Sequence, residues 1–591
     1  MSTHKKIDRI CMAIFVFTLI LTLLFMNGEK LGIRAVADED AETYTGGKYF
    51  TANDLDGTWS DNDYTTYITL DGTGGKIKGN GAYFLNGDLV ISNAGWYEIS
   101  GTLDDGGIVV DAYDSSKIWI RLNGVTINCA DDACLRIDQA DKVFLTLAEG
   151  TENSFTSGEE YSEDALADNT GGTIFSHDDL TINGSGSLAV TAGYKHGIDV
   201  NDSLVITGGD ITVTAVQDGI HVNDAFNFAN ASLTVNATDD GIHSDGGIYV
   251  ESGTIRIPSC YEGMEAVTID IAGGDIEIYP DDDGINANGG SSNMGFGRMG
   301  FGNGQKPDFN GERPEFGQMP SDGEQSESGT GQKQFGGANM PPDGEQSESD
   351  AGQKQFGGKH MPQDGEQSES DAGQKQFNGD QMPPGAEQIQ QDAEQSESDT
   401  EGEETYIRIT GGRVTIINET GRDADGLDSN GSIYIDGGEV CISLPGDGGN
   451  NALDYGSESG GECIVTGGTI LGFGGSSMVE EFSSDSTQCA VLNNLDTTME
   501  AGTLYQVLDA NGNELISFTP QCGYSSVAFS IPDLIIGETY TIISGDYTEE
   551  FTAESTAVLV GEPGAMGGGM GAGPDGMRPE GTETSGEAKT F

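Results

Sequence analysis

From His196 to Ile278 the chain alternates apolar and polar residues in short runs broken by Gly, Asn or Asp. The runs return in register: "KHGIDVNDSLVITGGDITV", "QDGIHVNDAFNFANASLTV", "DDGIHSDGGIYVESGTIRI", "YEGMEAVTIDIAGGDIEI" and "DDGINANGG" place their shared glycines at Gly197, Gly219, Gly241, Gly263 and Gly284, with spacings of 22, 22, 22 and 21. One position after each glycine stands Ile198, Ile220, Ile242, Met264 or Ile285, and seven and nine positions after it stand Leu204/Ile206, Phe226/Phe228 and Ile248/Val250. Alternation with period two is a strand signal, and no helical period competes with it. A unit this short cannot bury its apolar face alone, so successive coils must stack, each strand pairing in parallel with its copy in the next coil. The expected fold is all-β: a single-stranded parallel β-helix with coils of about 22 residues.

Period two sends the positions two and four after the glycine outward. They read Asp199, His221, His243, Glu265, Asn286 and Asn201, Asn223, Asp245, Asn288, and immediately before the glycines stand His196, Asp218, Asp240, Glu262 and Asp283. Equivalent side chains in stacked parallel strands lie about 4.7 to 4.9 Å apart, so unneutralised carboxylates would repel. Calcium takes six to eight oxygen ligands at about 2.3 to 2.6 Å and can sit between two such groups. The pairs Asp239/Asp240, Glu262/Glu265 and Asp282/Asp283 stand in consecutive coils. With Asp218, and with Asp425 and Asp428 where Gly426 restores the pattern, they form the candidate metal set. Hard oxygen donors favour calcium over zinc, although His221 and His243 stand one coil apart. Three readings fit: Asp and Asn as turn formers only, ions that hold the coils, or ions that also touch a ligand. The histidines are either exposed hydrogen-bonding groups or, with Asn223, Asp245, Asn286 and Asn288, ligand contacts.

The chain is not uniform. Lys5, Lys6 and Arg9 precede an apolar run from Ile10 to Met26, followed by "AVA" at Ala35–Ala37. Residues 1–37 thus read as an export signal or an uncleaved anchor, which puts the rest outside the cytoplasm, secreted or on the cell surface. The β-helix is expected over 48–290 and 405–485, with Trp59, Trp96 and Trp119 in an N-terminal cap and first coils and an acidic loop over about 150–169. By the period, Ile407 stands where residue 291 would, so 116 residues are inserted in one turn. The insert, 291–404, repeats "DGEQSES…" from Asp322, Asp343 and Asp364 without β-branched alternation, a composition expected to be disordered. A small β module is expected over 486–561 and a disordered Gly/Met tail over 562–591. Cys489 and Cys522 flank strands of that module and are candidates for pairing; the other cysteines read as small buried hydrophobes.

Charge narrows the partners. With 98 acids against 26 bases the formal net charge is -72, which argues against nucleic acid or an anionic membrane surface as a direct partner beyond an N-terminal anchor. An anionic ligand stays compatible if a cation lies between.

The segments "DDGIHSDGGIYVESGTIRI", "YEGMEAVTIDIAGGDIEI" and "DDDGINANGG", together with "GNELISFTPQCGYSSVAFSIPDL" (Gly512 to Leu534), resemble a bacterial carbohydrate-binding β-helix family whose fold is similar to calcium-dependent pectate lyases. The resemblance covers roughly 51–561 without the insert. It implies a right-handed winding, bound calcium, and an extracellular protein that recognises acidic plant polysaccharide such as polygalacturonate, with cellulose as a further ligand. Two other functions remain compatible with the residues. A calcium-dependent polysaccharide lyase would need a base, for which Lys195 is the candidate, although an ion pair with Asp218 explains that lysine as well. A surface adhesin would use the coils as a stalk. The sequence leaves the oligomeric state undetermined.

Overall fold

The repeating glycine is imposed by the coil stacked on it. A Cβ on Gly219 would lie 2.7 Å from the carbonyl oxygen of Gly241 and 2.0 Å from a methyl of Val235, and one on Gly241 would lie 2.6 Å from the carbonyl oxygen of Gly263. No side chain fits where one turn rests so closely on the next. The computed structural model describes residues 49–59, 64–113, 115–288, 404–422 and 424–562. Within them each coil contributes three strands. His196–Val200, Leu204–Ile206 and Asp210–Thr214 form one coil, and Ile220–Val222, Ala225–Phe228 and Ser232–Asn236 form the next. All three pair in parallel with their copies, Ile198 opposite Ile220, Leu204 opposite Phe226 and Ile211 opposite Leu233. First strands collect in a 12-stranded sheet; second and third strands collect in a 25-stranded sheet.

The apolar ladders fill the space between these sheets. Ile198, Ile220, Ile242, Met264 and Ile285, with Leu204, Ile206, Phe226, Phe228, Ile248 and Val250, belong to one buried cluster that runs along the stack. The register crosses the inserted residues: Ile407 stands opposite Ile269 and Val414 opposite Ile276. The described chain is therefore nearly all β. Its α-helices are the short Ala52–Leu55 and Glu163–Ala167. Both large sheets are mixed, since antiparallel pairs close the N-terminal end at Thr66–Gly72 with Gly75–Lys78 and at Ala82–Leu85 with Asp88–Ile91, while Thr469–Gly474 pairs antiparallel with Tyr524–Ser530 at the other end.

Several local expectations are corrected. The segment expected to begin a cap instead lies against the middle coils. Tyr49 stacks on Tyr249 with ring centroids 3.7 Å apart, and Phe50 packs with Val205 and Ala229. Asp54, 1% exposed, accepts from the Thr181 hydroxyl at 2.6 Å and faces the Lys142 ammonium at 2.9 Å. Periodicity carries no signal for such a strap, because its partners are outward-facing side chains of distant coils. The acidic stretch 150–169 is not a loop throughout: Glu152–Ser157 is a strand of the stack and Glu163–Ala167 a helix capped by Ser162. Cys489 and Cys522 are both free and buried, and the Cys522 thiol approaches the Asn418 carbonyl at 3.2 Å. Among the described residues no helix is long and apolar enough to cross a membrane. The export segment, the insert and the tail lie outside the described residues, apart from Glu404 and Glu562 at their edges.

Candidate functional site

The 12-stranded sheet lines up one side chain from each coil. Cα pairing runs Asp199, His221, His243, Glu265, Asn286, Asp428, Asp454 across seven successive strands. Beside this row runs the pre-glycine row His196, Asp218, Asp240, Glu262, Asp283, Asp425, Asn451. In it the glycine amide of one coil donates to the carbonyl of the next coil's pre-glycine residue, as in Gly241 to Glu262 at 2.8 Å and Gly284 to Asp425 at 2.8 Å. The two rows touch, and together they form a polar furrow. The expectation that the position two after the glycine faces open solvent is thereby corrected, since Asp199 and Asn286 are only 7% exposed. The pre-glycine row walls that position on one side. Asn223, Asp245 and Asn288, four after the glycine, are exposed along the other rim.

One half of the furrow carries histidines beside its acids. The imidazoles of His196, His221 and His243 form a column with centroid separations of 4.7 and 5.0 Å. His196 Nδ1 lies 3.0 Å from Asp218 Oδ2, and His221 Nδ1 lies 3.3 Å from Asp199 Oδ1, close contacts that are not aligned as hydrogen bonds. His243 Nδ1 is hydrogen-bonded to Glu265 Oε2 at 2.7 Å and lies 3.5 Å from Asp240 Oδ2, while its Nε2 lies 3.3 Å from Asp245 Oδ1. Burial works against charge on His243, but its Asp240 and Glu265 partners outweigh burial and raise its pKa to about 11. The His243 hydrogen bond in turn lowers Glu265 to about 2. Burial opposes charge on Asp218 too, yet His196 keeps its carboxyl below the usual range.

The other half has no such partner. Glu262, Asp283, Asp425 and Asp428 pair with no Lys, Arg or His among the described residues. Burial, followed by repulsion from neighbouring carboxylates, pushes Glu262 up to about 9 and Asp283 to about 8. Asp425 rises to about 9 and Asp428 to about 7 for the same reasons. Some of these acids also hold the stack: Asp283 Oδ1 accepts the Asp425 amide at 2.6 Å, and Asp425 Oδ1 accepts the Asn451 amide at 2.6 Å. Glu262, Asp282 and Asp283 each offer one oxygen, all within 4.8 Å of one another. Asn286 donates to Glu262 at 3.0 Å, but its own Oδ1 is buried without a hydrogen-bond partner, as is Oδ1 of Asn451. Buried amide oxygens are rarely left so. Hard oxygen donors converging without a cation fit calcium chemically.

The sequence-derived residues therefore divide. Glu262, Asp282, Asp283, Asp425 and Asp428 come together in the acid half. Asp218, Asp240 and Glu265 stand beside histidines, although Asp240, His243 and Glu265 also bring donor atoms within 4.8 Å of one another. Asp239 lies one residue off the rows, where its carbonyl accepts the Tyr261 amide at 2.8 Å. Lys195 does not pair with Asp218, whose partner is His196; its ammonium lies 5.5 Å from the Tyr194 ring centroid. It is four coils from Asp282, roughly 19 Å at about 4.8 Å per coil. The sequence reading missed Asp454 and Asn451, which extend the two rows by one coil. Their coil has Ala452 where the others have glycine, so an alignment on glycine passes over it; Leu453 in the apolar ladder was the available signal.

Residues 86–331 match the model of a family described as carbohydrate-binding domain-containing protein. A curated relative, a carbohydrate-binding domain-containing protein of Acetivibrio thermocellus, is 40% identical over 129 residues, covering 22% of this chain and 45% of the relative, so the match spans less than half of that protein. A solved structure described as the polysaccharide lyase-like protein from C. thermocellum, in a gadolinium derivative, aligns at 28% identity with a TM-score of 0.33, covering 36% of this chain and 95% of its own. Over residues 86–331 the chain is thus similar to a carbohydrate-binding family, the resemblance its repeats carry.

Proposed function

We propose that this is an extracellular carbohydrate-binding protein, secreted or held at the cell surface, that uses calcium in the acid half of the furrow to grip an acidic polysaccharide of the polygalacturonate type. In this reading the coils wind as a right-handed parallel β-helix, and the furrow runs along the stack as a linear site for a linear glycan. The carrying observation is the set of four carboxylates without a basic partner among the described residues, Asp283 buried and Glu262, Asp425 and Asp428 half-buried, flanked by the orphaned amide oxygens of Asn286 and Asn451. Glu262, Asp282, Asp283, Asp425 and Asp428 would hold the ion, and its remaining valences would take uronate carboxylates that a chain of charge -72 otherwise repels. The exposed rim residues Asn223, Asp245 and Asn288, with His221 and His243 beneath, would contact sugar hydroxyls.

Binding without cleavage follows from the spacing of the groups. Proton abstraction beside a uronate requires a base within hydrogen-bond reach of the reacting carbon, and Lys195 is several coils from the acids. Calorimetric titration with polygalacturonate should give binding in calcium and none in chelator. Asp283→Asn with Asp425→Asn should remove it, Lys195→Ala should leave it unchanged, and no unsaturated uronate should accumulate in the ultraviolet. Calcium-independent binding, or product formation lost in Lys195→Ala, would overturn the reading.

A further inference from the structure

At the N-terminal end of the stack the turn Gly79–Gly81 and the turn Asn93–Gly95 line an open cavity of about 460 Å³. Its walls include Tyr64 and Trp96, the amides Asn80 and Asn93, and the bare backbone of Gly81 and Gly95. None of its described lining residues is charged, in a chain where 21% of residues are.

The floor is fixed from below. Tyr97, 1% exposed, donates its hydroxyl to the Asn93 carbonyl at 2.7 Å and approaches that of Gly81 at 3.2 Å. Ser92 donates its amide to the Gly81 carbonyl at 2.9 Å, and Thr66 and Asn80 exchange two hydrogen bonds at 2.7 and 3.0 Å. Gly81 has φ +87°, and a Cβ there would lie 2.3 Å from the Tyr97 hydroxyl, so the rim depends on this glycine. Tyr64 on the rim is 86% exposed. The cavity stands seven strand spacings from Asp275–Pro280, the third strand of the coil before the acids, roughly 34 Å at about 4.8 Å each.

We propose that this cavity is a second carbohydrate site, separate from the furrow, that takes a neutral saccharide unit without calcium. Its size lies in the range of small-ligand pockets, roughly 300 to 1,000 Å³. Aromatic rings present flat apolar surface to the C–H faces of a pyranose, and carboxamides serve as both donors and acceptors for its hydroxyls. No described lining residue is a cation, so a uronate carboxylate would meet no counter-charge there in a polyanionic chain. A neutral sugar needs none.

The test is calorimetric titration of the whole protein, kept in chelator, with cellohexaose, mannohexaose and trigalacturonate. At least one neutral hexasaccharide should bind and trigalacturonate should not. Tyr64→Ala and Asn93→Ala, both at exposed positions, should each weaken that binding, Tyr64→Ala by roughly tenfold. Asp283→Asn with Asp425→Asn should leave it unchanged, which separates this site from the calcium site. Binding of neither neutral hexasaccharide, or binding that both Tyr64→Ala and Asn93→Ala leave intact, overturns the proposal.

Discussion

The two halves of the furrow share a backbone and differ in one choice of side chain. Both present acids at equivalent positions, one before the glycine and one two residues after it. Between Asp199 and Glu265 the rows are interleaved with His196, His221 and His243, so most carboxylates have an imidazole within 3.5 Å. Between Glu262 and Asp454 the same positions hold only acids and amides. The acids of one half thus have basic neighbours, although burial and the neighbouring Asp218 and Glu265 still push Asp240 up to about 6, and the acids of the other half have none among the described residues. Stacking imposes proximity on every acid alike, and the placing of three histidines decides which acids have a basic neighbour.

The largest expected effect is loss of the calcium response. With calcium in hundredfold excess over its dissociation constant, a single site stabilises the folded chain by about 2.7 kcal/mol. Thermal unfolding should therefore rise in calcium and fall in chelator, and Asp283→Asn with Asp425→Asn should abolish the difference. Equal midpoints in the unsubstituted protein would break the contrast between the halves.

The pH dependence sharpens it further. Asp428, Asp283 and Glu262 have folded pKa values of about 7, 8 and 9, above the unfolded carboxylate range of roughly 4. In chelator the folded state holds protons that the unfolded state has released, so stability is full below about pH 4 and is lost as pH rises through 7 to 9. Glu265, at about 2, contributes stability that is present above about pH 4.3 and lost as pH falls through 2. The contribution of His243 is full below about pH 6.5 and lost only as pH rises through about 11. A fall in unfolding midpoint between pH 5 and 9 in chelator that calcium suppresses is the expected outcome; a flat profile in chelator would place the labile acids elsewhere.

Much of this architecture is legible in sequence because stacking repeats it. The glycines, the apolar ladder from Ile198 to Ile285 and the return of register at Ile407 follow from a period that the backbone itself enforces through contacts such as that of Gly241 with Gly263. Which residues line the furrow was legible too. The division of labour within it was not, because a row alignment does not show that His196, before its glycine, and His221, two after its own, stack on one another in neighbouring coils. Features outside the period were invisible for the same reason. The strap through Asp54 meets Lys142, Thr181 and Tyr49's partner Tyr249, all far away in sequence; the coil over 450–455 was expected, but with Ala452 in place of the glycine its Asn451 and Asp454 were not assigned to the rows.

An intermediate effect is expected from converting the histidine half toward the acid half. His243→Gln removes the cation from Asp240 and Glu265 while keeping a side chain of similar reach. Breaking a fully buried pair costs about 3 to 5 kcal/mol, and the 21% exposure of His243 reduces this to about 2 kcal/mol. The variant should also gain a new calcium response, since Asp240 and Glu265 then resemble the acids of the other half. Destabilisation that calcium leaves unrelieved would mean that His243 matters for packing and not for charge.

The smallest effect separates the inner partners of His243 from the outer one. Asp245 Oδ1 lies 3.3 Å from His243 Nε2, but its side chain is 63% exposed, against 18% for Glu265. Solvent screens the outer contact, and such pairs contribute about 0 to 1 kcal/mol. Asp245→Asn should therefore change the unfolding midpoint little, while Glu265→Gln, which leaves a half-buried imidazolium with Asp240 as its one inner partner, should cost clearly more. Their ratio measures how far the furrow floor is shielded from water. Similar costs for both variants would mean that the histidine column is as well solvated as the rim, and the contrast between the histidine half and the acid half would then rest on the acid half alone.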